Sequence, residues 1–467
     1  MDFSTISFWF SLIPAILVLQ AGNRILKDHP LAKKTFHKGL ISLLSLLLLG
    51  IASWQTLTIF VAVMLTTWFS CLYGMTLCKQ LRRVLLCFQI PILLAPLFYY
   101  KYADFVCNSI AGQDWNTLRD LIIPIGISFY TFQLIGFSID TLLKEKTIPS
   151  FIDYINFSSF FPQIVAGPIE RRDDLLPQMQ NINLELKSAQ LKKGIPYIIL
   201  GLFYKLTLAD NLADAFFSHY TGTNSVIIWV NNLIFTFRIY FDFCGYGLTA
   251  YGIALCLGVT LRMNFLSPYT ATNITEFWRR WHTSLTLWFR DYIYFPLGGS
   301  RTRRWPLNML IIFLVSGIWH GAGWNFIIWG LLAGISMIIH RLWSKTNYRL
   351  PRFIGWSITF MLMVFVWMFF YETNPQILTQ HLQSITTLST YDITNFTQSL
   401  ISKGASGVLI FEFLAMAFLV IIVELISLKK TGDAYHYLLS DASCGLMVFL
   451  IVILYTSSQN QFIYFSF

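Results

Sequence analysis

Apolar runs of about twenty residues recur along this chain from near residue 3 to near residue 459, broken only by short polar stretches. A helix rising ~1.5 Å per residue needs ~20 residues to cross ~30 Å of hydrocarbon, where backbone amides find partners only within the helix itself. The pattern therefore predicts an all-α polytopic membrane protein. About twelve transmembrane helices are expected, near 3–20, 38–53, 55–76, 84–100, 121–142, 194–214, 226–245, 307–321, 323–341, 353–371, 407–428 and 443–459, with 38–53 and 307–321 short for a full crossing. Composition supports this: 55% hydrophobic and only 12% charged residues leave too few polar side chains to coat a soluble globule of 467 residues. The chain reads as one integral-membrane domain, 1–467, with a core at about 150–341, peripheral spans at 1–149 and 342–459, and a tail at 460–467. The first apolar run follows Asp2 without any Lys or Arg, so it is read as a retained span rather than an export signal.

Loop charge orients the spans. Lys and Arg collect in 21–38, 79–83, 144–146, 171–193, 262–304, 341–352 and at Lys429–Lys430, while 102–119, 215–225 and 373–406 are poor in them. The positive-inside rule makes the first set cytoplasmic and puts both termini on the outer face. Most of the net charge of +10 is thus topological and gives no reason to expect nucleic acid as a partner. Seven scattered cysteines, mostly inside apolar runs, suggest neither a disulfide framework nor a metal site.

Two segments depart from the span-and-loop rhythm. Residues 150–170 are apolar but interrupted by Pro162, Gly167 and Pro168, with basic stretches on either side, which predicts a re-entrant hairpin. In 273–296, Trp278, Trp281, Leu285, Trp288, Phe289 and Tyr292 recur at helical spacing, predicting an amphipathic helix at the cytoplasmic interface. Asn273 or Thr272 suits its cap, and Glu276 follows three residues after Asn273.

The chemistry-bearing residues concentrate between Thr275 and Gly330. The uncharged run Pro306–Val315 leads to His320 at a depth where an ionisable side chain is costly and usually functional. A buried neutral imidazole suits a general base, and it equally suits a hydrogen bond across a helix interface. Gly317, Gly321 and Gly323 thin the backbone around it, for a ligand or for tight helix packing. His282, on the amphipathic segment, reads more simply as an interfacial residue. Arg301, Arg303 and Arg304 suit the phosphates of a nucleotide-like donor or a plain positive-inside anchor. Arg238 and Asp242, four residues apart within a span, predict a buried ion pair.

Four strings carry a resemblance: FFPQIVAGPIERRDDLLPQ (160–178), YFDFCGYGLTAYGIALCLG (240–258), NFLSPYTATNITEFWRRWHTSLTLWFRDYIYFPLGGSR (264–301) and SGIWHGAGWNFIIWGLLAG (316–334). Together they resemble the signature blocks of the membrane-bound O-acyltransferase (MBOAT) family, in the branch of bacterial alginate and peptidoglycan O-acetyltransferases. The resemblance implies a helical bundle around a central tunnel in the bacterial inner membrane, with both termini periplasmic. It implies His320 as the essential histidine and His282 as a second functional one at the tunnel's cytoplasmic mouth. Arg279, Arg280, Arg301, Arg303 and Arg304 would hold the donor, acetyl-CoA, and no metal is implied. The closing residues 462–467 resemble the branch's terminal aromatic motif, whose tyrosine, here Tyr464, is expected to take the acyl group on the outer side. A periplasmic SGNH-type hydrolase or transferase would pass acetyl to a polysaccharide such as an alginate-like exopolymer or a cell-wall glycan. The alternatives are a lipid or teichoic-acid-type acceptor within the same family, and a transporter whose intramembrane His, Asp and Arg form an ion path.

Overall fold

The computed structural model describes residues 3–112, 121–217, 220–455 and 462–463, apart from the side chains of 405, 406 and 408. Among the described residues all regular structure is helical. Among the described residues eight helices are long and apolar enough to cross a membrane: Ile6–Ile25, Pro30–Ala52, Trp54–Met75, Lys79–Tyr102, Ser225–Cys256, Trp324–Trp343, Arg352–Tyr371 and Leu409–Thr431. Three shorter apolar helices, Ile127–Leu143, Trp305–His320 and Asp441–Ile453, accompany them. The expected span at 194–214 is a helical run of three parts: Ser188–Leu202, the π-helical turn Phe203–Ala209, and Asp210–Ala215. The chain is a multi-pass membrane protein.

The chain divides into two compact units, one of residues 1–198 and 247–263, the other of 199–246 and 264–467. In the first unit, the span expected to be short at 38–53 begins at Pro30 and runs for 23 residues. Proline at the first helical position has its φ preset and no amide to satisfy, so the helix starts there despite the lysines that follow. Two of those lysines have acidic partners: Lys33 pairs with Glu185 at 2.6 Å, and Lys38 pairs with Asp153. Helix Ile127–Leu143 springs from Gly126 in the left-handed region, at φ 74°. A Cβ on Gly126 would lie 2.7 Å from the Ile164 carbonyl oxygen, so glycine is required both for its conformation and for close packing of the 160–167 turns. Those turns follow the short helix Phe151–Ser159 and are buried throughout, giving the broken backbone expected of 150–170.

In the second unit, helices Trp305–His320 and Trp324–Trp343 pair antiparallel across the turn at 321–323. A Cβ on Gly317 would meet the Phe326 carbonyl oxygen at 2.3 Å, and one on Gly330 the Phe313 carbonyl oxygen at 2.4 Å. The glycines around His320 therefore serve backbone-to-backbone contact between these two helices. At the turn, a Cβ on Gly321 would lie 2.0 Å from the Phe326 ring.

The predicted buried pair of Arg238 and Asp242 is not the one formed. Among the described residues Asp242 pairs with Lys205 at 3.0 Å, a partner brought in from another helix, which spacing along one helix cannot reveal. The stretch 373–406, expected to be a loop, carries two amphipathic helices, Pro375–Ile385 and Ile393–Ser402. Asn374 and Asp392 cap them, accepting hydrogen bonds from backbone amides of the first turns.

Candidate active site

The site grows from a break in a helix. Helix Ile274–Arg280 starts as expected, with the Asn273 side chain accepting the Glu276 N–H at 2.9 Å and the Glu276 carboxylate accepting the Thr272 N–H at 2.8 Å. The continuous amphipathic helix predicted over 273–296 then fails at His282, whose φ and ψ of 44° and 54° are left-handed. For a non-glycine residue this conformation is uncommon and costs ~1–3 kcal/mol, so the surroundings must impose it. They do so through the strand-like segment 264–266: Leu266 N–H donates to the Arg280 carbonyl at 3.0 Å and Thr283 N–H to the Asn264 carbonyl at 2.9 Å. The helix resumes as Thr283–Phe289 and ends in the π-helical turn Arg290–Tyr294.

The break turns the His282 ring inward, where it is 2% exposed. The edge-to-face neighbours are Phe243 at 4.8 Å and Trp319 at 5.8 Å. Burial pushes its pKa down to about 3, so the imidazole is neutral at physiological pH.

His320 is the last residue of helix Trp305–His320 and is 4% exposed. Its ring is boxed by Trp319 at 4.9 Å, Trp329 at 5.1 Å and Phe370 at 5.2 Å. Trp319 thus touches both histidine rings. Both histidines line one cavity of about 510 Å³, within the size range of small-molecule sites. Its wall also includes Ser316, Thr286 and the exposed Arg279, Arg290 and Ser344.

The predicted arginines separate. Arg279 lines the cavity. Arg280, a helical step of ~100° away, turns to Glu276 and to Thr270 Oγ1, the latter at 2.6 Å. Arg301, Arg303 and Arg304 are exposed and are not among its lining residues. Tyr464 lies outside the described residues. Reasoning from sequence missed three groups on the cavity wall: Arg290, His340 and Arg341. His340 Nδ1 lies 2.8 Å from Thr275 Oγ1, and the Arg341 guanidinium sits 4.3 Å from the centre of the Trp305 ring. His340 and Arg341 close a predicted span, where basic residues ordinarily read as positive-inside anchors. Nothing in the span's own pattern distinguishes the two uses.

The sequence model of MBOAT, the membrane-bound O-acyltransferase family, matches residues 39–379. The chain belongs to that family and is an acyl-transfer enzyme. Particular relatives narrow the branch. It is 33% identical over 423 residues to a peptidoglycan O-acetyltransferase of Helicobacter pylori, covering 79% of this chain and 80% of that one. It is 34% identical over 338 residues to an alginate O-acetylase of Pseudomonas aeruginosa, covering 70% of this chain and 64% of that protein's length. A teichoic acid D-alanyltransferase of Bacillus subtilis is 31% identical over 272 residues, covering 54% of this chain and 67% of its own.

Proposed function

We propose that this protein moves an acetyl group from cytoplasmic acetyl-CoA across the bacterial inner membrane for O-acetylation of an extracytoplasmic polysaccharide. The observation that carries the reading is the shared cavity: His282 and His320 line one cavity whose wall also includes the exposed Arg279 and Arg290. Helix Trp305–His320 has 16 residues and so spans ~24 Å at ~1.5 Å per residue. That is short of the ~30 Å hydrocarbon thickness, which suits a histidine held inside the membrane.

In this mechanism the donor's phosphates lie by Arg279, Arg290 and Arg341, and its thioester reaches inward. Arg301, Arg303 and Arg304 attract it from the cytoplasm at longer range. Neutral His320 accepts the proton of an acceptor hydroxyl as the oxygen attacks the thioester carbonyl. The C–S bond breaks, and the leaving thiolate takes that proton from the imidazolium. His282 stands along the same route as a hydrogen-bonding partner of the reacting carbonyl. Tyr464 is the acceptor offered from the outer side, and a periplasmic SGNH-type enzyme carries the acetyl on to the polymer. The reading includes about twelve spans around a central tunnel, both termini periplasmic, and one functional domain over 1–467. The two named O-acetylating relatives favour acetyl and a polysaccharide over a teichoic-acid-type acceptor.

The test is export of labelled acetyl groups by membranes carrying equal amounts of inserted wild-type protein or His320→Ala. Loss of export in the variant is expected. Export at the wild-type rate would remove His320 from the chemistry.

A further inference from the structure

The C-terminal segment is held by a buried charged pair that the acyl-transfer reading does not use. Ile463, 3% exposed, donates its backbone N–H to Asp242 Oδ2 at 2.7 Å. The other oxygen of that carboxylate, Oδ1, lies 3.0 Å from Lys205 Nζ, and the same ammonium lies 2.8 Å from Asp210 Oδ1. The ammonium therefore fixes the rotation of the Asp242 carboxylate and leaves Oδ2 aimed at the tail. Asn211, the residue after Asp210, donates to the Leu454 carbonyl at 3.1 Å.

The neighbouring Phe462 connects this clamp to the site. Its ring lies 5.0 Å from Tyr246 and 5.8 Å from Phe243, and Phe243 is the ring that packs edge-on against His282. Buried ion pairs are poor sources of stability and costly in an apolar setting. A clamp made of one fixes position, whereas an apolar plug would anchor the tail without setting its register.

We propose that Lys205 and Asp242 are positioning residues that hold Phe462 and Ile463 against Phe243, the ring that packs on His282, and that acyl transfer to the acceptor depends on this hold. This rests on the reading of the tail, through Tyr464, as the acceptor. Among the described residues the clamp holds Ile463 by its backbone N–H, and Ile463→Pro deletes that group.

The experiment measures kcat for acetyl delivery and KM for acetyl-CoA in full-length protein, solubilised and shown monodisperse. Ile463→Pro and Asp242→Ala are each expected to lower kcat at least tenfold with KM unchanged. The double variant should be no worse than the poorer single one, because both remove the same contact. Ile463→Ala, which keeps the N–H, should lose far less than Ile463→Pro. Wild-type kcat in Ile463→Pro, or losses that multiply in the double variant, would overturn the clamp. Tyr464→Phe separates the two ideas: if it is active while Ile463→Pro is not, the clamp stands and the carrier role fails. If it is inactive while Ile463→Pro is active, the clamp fails and the carrier role stands.

Discussion

Replacing Gly317 by alanine should slow acyl transfer by about two orders of magnitude without preventing membrane insertion. The added Cβ would lie 2.3 Å from the Phe326 carbonyl oxygen, a backbone atom that cannot rotate aside. Ordinary van der Waals contact begins at about 3.4 Å, so helices Trp305–His320 and Trp324–Trp343 must separate by ~1 Å. His320 lies three residues further on, less than one turn away, and moves with its helix. A misplacement of ~1 Å of a reacting group costs ~10²-fold, or ~2.7 kcal/mol in the barrier. The assay is the initial rate of labelled acetyl transfer per mole of inserted protein. Gly330→Ala, whose Cβ would meet the Phe313 carbonyl oxygen at 2.4 Å, should behave alike. Gly445→Ala, in helix Asp441–Ile453 with nothing within 4 Å of the new Cβ, should keep the wild-type rate. Equal rates for Gly317→Ala and Gly445→Ala would refute the view that close packing of this hairpin positions His320.

Other outcomes follow from the same geometry. His282→Asn keeps a residue that tolerates the left-handed turn, so the protein should still fold and insert while its transfer rate falls ~10²–10³-fold, the usual worth of one hydrogen-bond donor to a reacting carbonyl. Burial holds His282 at about 3, below its ordinary value of 6.5, so only the unfolded chain takes up its proton between those values. The stability it contributes is full above pH 6.5 and is lost as pH falls toward 3. Thermal melts in detergent should therefore fall more steeply with acidification for wild type than for His282→Asn, and parallel curves would contradict this. Arg341→Met should raise KM for acetyl-CoA severalfold with little change in kcat, measured by steady-state kinetics, since the lost group faces the donor and not the reacting carbon. Asn273→Ala removes the cap of helix Ile274–Arg280 and should cost ~1 kcal/mol, read as a lowered melting temperature.

The sequence announced the membrane class and most spans because hydrocarbon imposes a length and a composition on every crossing. The hairpin carrying His320 was read to within a few residues, since Gly321 and Gly323 interrupt an otherwise continuous apolar run. The break at His282 was not legible. Its neighbours keep helical spacing on both sides, and the left-handed turn is imposed by backbone bonds from 264–266. The choice among arginines was equally hidden, because Arg279 and Arg280 are adjacent in sequence yet face a cavity and an ion pair respectively. Lys205 escaped notice for a related reason. Its partner Asp242 lies 37 positions away on another helix, while Arg238, four residues from Asp242, offered the simpler local pairing.

The central claim is that His320 acts on the acyl group in the cavity it shares with His282. It is tested most directly by single-turnover transfer from labelled acetyl-CoA with purified wild-type protein and His320→Gln, donor binding being measured in parallel. The account predicts donor affinity within a few fold of wild type and a transfer rate lower by ~10²–10⁴. Transfer at the wild-type rate by a His320→Gln protein that binds donor normally would contradict it.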